Sequence, residues 1–357
     1  MKWNPNSIKV FLDISTYCNA GCPQCHRTSE NGLGKTDWLP LIQWDLDMFK
    51  KAFPPSEMMR IKIFKFCGTW GDPVMCKDLD KIFAYIIDNS DTLISMDTNG
   101  SIRNADWWWD IGVKCRSRLE VVFDIDGINQ EMHEKYRRFT HLSKVLENMD
   151  MLSQTTSLVK SQTILFKHNQ EYKSEIKNLV KAHGSIAHAF VISDRFRGKD
   201  KKIRSFINEH GEKDYLEAAD REVLPDGIIA GSTDRYNSYE IKCRWALPRN
   251  EIVVNPDGQI MPCCFHANAH FWQRHDPIYE KGNKLALNLN ALYSEDYNAN
   301  LKSYNILHTK LSEILNSDWF TKALPNSIEG NDPIGQCVRN CSNRQKKTHQ
   351  IRELHAP

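Results

Sequence analysis

Cysteine carries most of the chemistry this chain can offer. Three thiols stand together in Cys18-Asn19-Ala20-Gly21-Cys22-Pro23-Gln24-Cys25. As an i, i+4, i+7 set they would line one helix face and pack as small hydrophobes. Gly21 and Pro23 oppose that, because proline removes a donor and clashes with the preceding turn. A tight loop instead turns three thiolates toward one point. Three thiolates on a four-iron cubane leave one iron without a protein ligand, whereas an electron-transfer cluster is normally closed by four. A zinc site is the competing metal reading and wants a fourth donor. His26 is adjacent, but so close along the backbone that tetrahedral convergence is awkward.

A second set lies toward the C-terminus: Cys243, then Gly258 and Cys263, then Cys337 and Cys341. Four thiols can close a cluster or a structural zinc site, and both readings stay open on spacing alone. Cys264 is either a spare core thiol or the ligand in place of Cys263. Cys67, Cys76 and Cys115 have no ligand spacing and read as core or near-site thiols. Eleven cysteines is an odd, clustered count, a poor disulfide framework.

Elements must present these thiols. Strand candidates recur at Val10–Ile14, Arg60–Phe66, Leu93–Asp97, Leu119–Ile125, Leu158–Phe166 and Ile186–Ser193, about thirty residues apart, the size of one βα unit. Between them Leu79, Ile82, Phe83, Ile86 and Ile87 form a helical stripe, and Leu142, Val145, Leu146, Met149 and Leu152 form another. Such alternation predicts an α/β fold with a parallel sheet and right-handed crossovers, an open or closed barrel whose chemistry sits at the strands' C-terminal ends. The first cysteine loop follows the first strand, where that face should be. Trp107-Trp108-Trp109 reads as a helix packing on the barrel, since consecutive helical aromatics cannot all face one ligand. Residues 195–240 break the alternation and read as a charged connector, part helical and a candidate substrate-facing lid. Ile252–Val254 and Gln259–Met261, joined by Asn255-Pro256-Asp257-Gly258, predict a hairpin that opens a second, smaller domain.

On these residues the chain resembles the radical S-adenosylmethionine (SAM) superfamily, whose signature is Cys-x3-Cys-x2-Cys after a first strand. The resemblance implies that Cys18, Cys22 and Cys25 hold a [4Fe-4S] cluster whose open iron binds the methionine moiety of SAM. Gly71-Asp72-Pro73 after the second strand is similar to the family's Gly-Gly-Glu-Pro segment, with Asp72 in the glutamate's place to hold the amino group. Thr98-Asn99-Gly100 resembles its Thr-Asn-Gly. Asp124-Ile125-Asp126-Gly127 resembles Ser-x-Asp-Gly, and His133 to Arg137 its following His-x3-Arg. Asp124 then accepts from ribose hydroxyls and Arg137 takes the methionine carboxylate. Gln24 stands where many relatives carry an aromatic residue against adenine. The C-terminal set, with Cys-x14-Gly-x4-Cys and a later pair, is similar to the SPASM/twitch domain in its one-cluster version. That implies an auxiliary [4Fe-4S] cluster on Cys243, Cys263, Cys337 and Cys341. Leu311 to Ser317 looks like the short helix before the last cysteines.

The expected organisation is a partial (β/α)6 TIM-like barrel over residues 1–198, the connector over 199–240, a β-hairpin and helix twitch domain over 241–345, and a polar, fraying tail over 346–357. By resemblance the reaction cleaves SAM reductively to a 5′-deoxyadenosyl radical that abstracts hydrogen from a peptide or small-molecule substrate, with a flavodoxin or ferredoxin as reductant. Forty-seven Lys and Arg against 45 Asp and Glu give no electrostatic case for nucleic acid. No run reaches the roughly 20 apolar residues that span a bilayer, and the mean hydropathy is −0.55. The start has no apolar core of a secretory signal, so the cytoplasm is the expected setting. The rival classes are a non-catalytic zinc or iron-sulfur module and a radical SAM enzyme acting on a nucleotide or tRNA. Asp194, ending the sixth strand, is a candidate acid or base.

Overall fold

One nine-stranded sheet organises the chain. Its first six strands, β1 (Ile8–Leu12), β2 (Ile61–Phe66), β3 (Leu93–Thr98), β4 (Leu119–Asp124), β5 (Leu158–Leu165) and β6 (Ala187–Ile192), lie side by side in sequence order and parallel. The computed structural model describes residues 2–29, 34–193, 195–196, 202–208, 210–220, 241–276, 297–329, 334–341 and 353–355. Asp194 and most of the 195–240 connector lie outside the described residues.

Strands β1, β3, β4 and β5 alternate in burial along their length. Val10, Leu12, Phe64, Phe66, Ile94, Met96, Val121 and Phe123 are buried against the helices. The helix Leu79–Asn89 buries Leu79, Ile82, Phe83 and Ile86, and Leu142–Ser153 buries Leu142, Val145, Met149 and Leu152, as the stripes predict. Full burial of one such side chain favours folding by about 1.5–3 kcal/mol. Trp108 is inside the core while Trp109 is exposed, so the tryptophan run packs a helix, Ala105–Cys115.

The opposite face of the strands is polar. Lys65 on β2 pairs with Asp97 on β3 and donates to Ser95 Oγ at 3.2 Å. Ser95 donates to Glu120 Oε1 at 3.4 Å, and Lys160 on β5 meets Glu120 Oε2 at 2.6 Å. These partly exposed charges line the face below the strand ends. A two-residue polar period inside β-branched runs was the sequence signal for them.

Three expectations change. The connector contains an antiparallel hairpin, β7 (Ile203–Ile207) and β8 (Lys213–Glu217), where part-helical structure was expected. Phe206 and Leu216 alternate onto one face and are buried, which fits a strand period and not a helical one. The second hairpin, β9 (Glu251–Val254) and β10 (Ile260–Met261), forms as its Asp-Gly turn predicts, but β9 also pairs in parallel with β1. It extends the barrel sheet rather than starting a separate one. β6 is not joined to β1: its outer neighbour is β11 (Glu353–His355), antiparallel, contributed by the tail expected to fray. No described helix is long and apolar enough to cross a membrane.

Candidate functional site

The C-terminal end of β1 delivers the first cysteine loop, as the βα pattern requires. Cys22 is buried among Ala20, Tyr136, Phe166, Phe206 and Leu216, with Cys18 and Cys25 packed at the edge of that cluster. The β7–β8 hairpin therefore covers the loop. Gly21 donates its N–H to Arg138 O at 3.1 Å, and a Cβ there would meet the Phe139 ring at 2.6 Å, so this approach admits only glycine unless the ring moves.

All three thiols are free and lie in one another's electrostatic field. Burial, then Asp72, raises Cys18; burial pushes Cys22 up to about 12 against the pull of Arg137. A metal group bound here must displace those protons. Among the described residues no three His, Cys, Asp or Glu side chains close round a point as one metal ion requires. His26, the candidate fourth zinc donor, is T-shaped on Trp272 at 4.5 Å between ring centres. An all-thiol donor set on a loop stiffened from three sides suits an iron-sulfur group.

The loops after β2 and β3 do the stiffening. Gly71 runs against the chain ahead of Cys18, where a Cβ would stand 2.4 Å from Ser15 O and 2.5 Å from Tyr17 O. The next residue, Asp72, donates its N–H to Tyr17 O at 2.8 Å. Its carboxylate, 4 % exposed, accepts from Asn99 N at 2.8 Å, Val74 N at 2.9 Å and Thr98 Oγ1 at 3.0 Å. Asn99 Nδ2 reaches Asn19 Oδ1 at 2.9 Å and Cys18 Sγ at 3.8 Å. Asp72, Thr98 and Asn99 thus form one clamp on the cysteine loop. Gln24 is held by Ser193 Oγ at 2.7 Å, and Arg195 donates to its carbonyl. Its Nε2 is buried without a hydrogen-bond partner among the described residues.

Beyond β4 the charges pair with each other. Arg137 Nε meets Asp126 Oδ2 at 2.6 Å and Nη1 meets Asp124 Oδ2 at 3.0 Å, so the guanidinium expected to take a ligand carboxylate is engaged by two aspartates. Asp124, expected to receive ribose hydroxyls, is also bonded by Gln162 Nε2 at 2.7 Å. Burial raises Asp124 to about 7, against Arg137. His133, lowered to about 3 by burial, is neutral and accepts Asp126 N on Nδ1 at 3.2 Å. It braces the Asp-Gly turn rather than facing a ligand.

Asp13 escaped the sequence reading. Its carboxyl, 1 % exposed, accepts Thr69 N at 2.9 Å beside Cys67. Burial raises it from 3.8 to about 7, against hydrogen bonds from Thr69, Cys67 and Trp70. The folded state then holds a proton that the unfolded chain has lost between those values, so stability falls as pH rises through that window. The fall is at most about 1.4 kcal/mol per pH unit. In Asp13→Asn that component of the slope is expected to vanish, as denaturant melts at pH 5, 6 and 7 would report. An unchanged slope would remove Asp13 as its source. A lone acid in a hydrophobic strand run, Phe11-Leu12-Asp13-Ile14, was the available signal.

At the second site Cys263 lies in the field of Cys243, Cys264 and Cys337, and Cys341 in that of Cys243, Cys264 and Cys337. Burial raises Cys263 well above the usual thiol range, helped by Cys264 and Cys337, and pushes Cys264 up to about 12. Cys263 caps the helix Cys264–His275, so both consecutive cysteines stand at its positive end. Buried His266, lowered to about 4 by burial, lies with Nε2 3.3 Å from Cys337 Sγ. Trp70, packed on Phe271 at 4.9 Å and on Trp272 at 5.4 Å, ties this helix to the first loop.

Residues 243–342 match the SPASM family, an iron-sulfur cluster-binding domain. No curated protein matches the sequence significantly. Among solved structures the chain is similar in fold to native anSMEcpe with bound AdoMet: 13 % identity, TM-score 0.52, over 94 % of this chain and 89 % of that one. It is similar also to anSMEcpe with bound AdoMet and the Cp18Cys peptide, at 12 %, 0.51, 95 % and 89 %. The third is Streptococcus suis SuiB bound to precursor peptide SuiA, at 13 %, 0.50, 94 % and 76 %.

Proposed function

We propose, for a chain with the fold of radical SAM enzymes and a C-terminal SPASM iron-sulfur region, that it is itself a radical SAM enzyme. The observation that supports this is one clamped loop at the end of β1 that carries three free thiols packed in the same buried cluster. A [4Fe-4S] cluster held by Cys18, Cys22 and Cys25 supplies one-electron cleavage of SAM and, through the 5′-deoxyadenosyl radical, hydrogen abstraction from a substrate.

The protein's own residues bind, orient and exclude water. Asp72, Thr98 and Asn99 fix the loop, and the Gly71 backbone permits the close approach. Arg137, held by Asp124 and Asp126, places fixed charges beside Cys22 for the zwitterionic methionine moiety. The unpartnered Gln24 amide offers a donor to the adenosyl portion. Phe206 and Leu216 of the β7–β8 hairpin keep solvent from Cys22. Cys243, Cys263, Cys337 and Cys341, with Cys264 in reserve, hold an auxiliary [4Fe-4S] cluster.

A peptide is the substrate class this reading favours, supported by the two peptide-bound fold relatives. The reductant is a low-potential donor of the flavodoxin or ferredoxin class and the setting is the cytoplasm, in keeping with eleven free cysteines. Anaerobic reconstitution followed by iron and sulfide counting, then a 5′-deoxyadenosine assay with SAM and dithionite, tests the whole reading. Two clusters and product formation are expected. Tight zinc with no response to SAM would sink it. Cys337→Ala is expected to lower bound iron by about four per chain while sparing at least part of SAM cleavage; complete loss of cleavage with the first cluster intact would contradict separate roles for the two sites.

A further inference from the structure

We infer that His266 sets the redox poise of the C-terminal site, as a hydrogen-bond donor to the sulfur of Cys337. The inference rests on the auxiliary-cluster reading and names a residue that the ligand pattern does not contain. His266 is 1 % exposed, in the first turn of the helix Cys264–His275. It serves sulfurs from both halves of the site. Its backbone N–H favours the thiolate of Cys263, and its ring Nε2 lies 3.3 Å from Sγ of Cys337, 71 residues further on.

Direction follows from chemistry. A thiolate bound to iron has lone pairs and no proton, so it only accepts; the ring must therefore carry its hydrogen on Nε2. An N–H···S bond stabilises the more negative, reduced state more than the oxidised one, which raises the reduction potential. The ring sits in a buried pocket, where the low dielectric strengthens such a bond. Removing it should make the auxiliary cluster harder to reduce while leaving the first cluster unmoved.

The test is an EPR-monitored redox titration of the full chain, reconstituted anaerobically, with iron counted in every sample. His266→Phe keeps a ring and deletes the donor, whereas His266→Gln keeps an N–H. The Phe variant is expected to shift the reduced-to-oxidised ratio of the auxiliary cluster about tenfold toward oxidised at fixed ambient potential, a midpoint about 59 mV more negative for one electron. The Gln variant should recover most of that shift. A Phe variant with wild-type iron and an unmoved midpoint overturns the inference. Should Phe not hold iron, His266→Gln and His266→Met are compared instead; equal midpoints in that pair overturn it, and a more negative Met variant supports it. Wild-type chain carrying iron at the first site alone would sink the auxiliary-cluster reading and this inference with it, an outcome the iron count separates from the others.

Discussion

With Cys18, Cys22 and Cys25 all replaced by alanine, 5′-deoxyadenosine formation from SAM is expected to fall to background, and bound iron to drop by about four per chain. The expectation comes from geometry rather than from the motif alone. Cys18 lies in the field of Cys22 and Cys25, and is approached by the amide of Asn99, which Asp72 fixes through its backbone. The cost to folding should be small, because cysteine and alanine are both small apolar residues and no disulfide is lost. A triple variant that folds as wild type and still cleaves SAM at full rate would end the radical reading. One that keeps its iron but loses cleavage would shift the ligand role to other thiols.

The second large effect is on stability. Arg137→Met leaves Asp126, fully buried, and Asp124 without their shared cation. Breaking a buried pair by removing one partner typically costs about 3–5 kcal/mol, because a charge stays behind undischarged. Burial already raises both aspartates and Arg137 opposes it, so in the variant both rise further. Carboxyls raised in the folded state contribute stability at low pH that is lost as pH climbs through their folded values. The deficit of Arg137→Met should therefore shrink on going from pH 8 to pH 5. Urea melts at the two pH values measure it; a deficit under about 1 kcal/mol at both would show that the triad is not the brace described here.

Periodicity located six parallel strands to within about two residues, because each is a β-branched run flanked by an amphipathic helix. The first was placed late, at Val10, since Asp13 and Ile14 continue the pattern while the strand itself spans Ile8–Leu12. What periodicity does not encode is the choice of distant neighbour. Nothing in Glu251–Val254 announces that it will pair with β1, more than 240 residues away. The cysteines were legible because thiols at fixed spacing have few other uses in a chain without a disulfide framework. Arg137 was legible as a candidate but not in its contacts: a motif names the residue, while Asp124 and Asp126 claim it through three-dimensional proximity. Cys263 and Cys264 stayed ambiguous for a physical reason, since the helix starting there points both toward the same group of thiols.

Strand β9 sits between β1, which runs into the first thiol loop, and β10, which runs into Cys263. The accessory region is for that reason not a cassette that recombination can exchange freely. Any replacement would have to present an extended segment in the register Lys9↔Glu251 to Leu12↔Val254, or else uncover the backbone of the strand that carries the first thiol loop. Both cysteine-bearing halves are thereby bound to descend together.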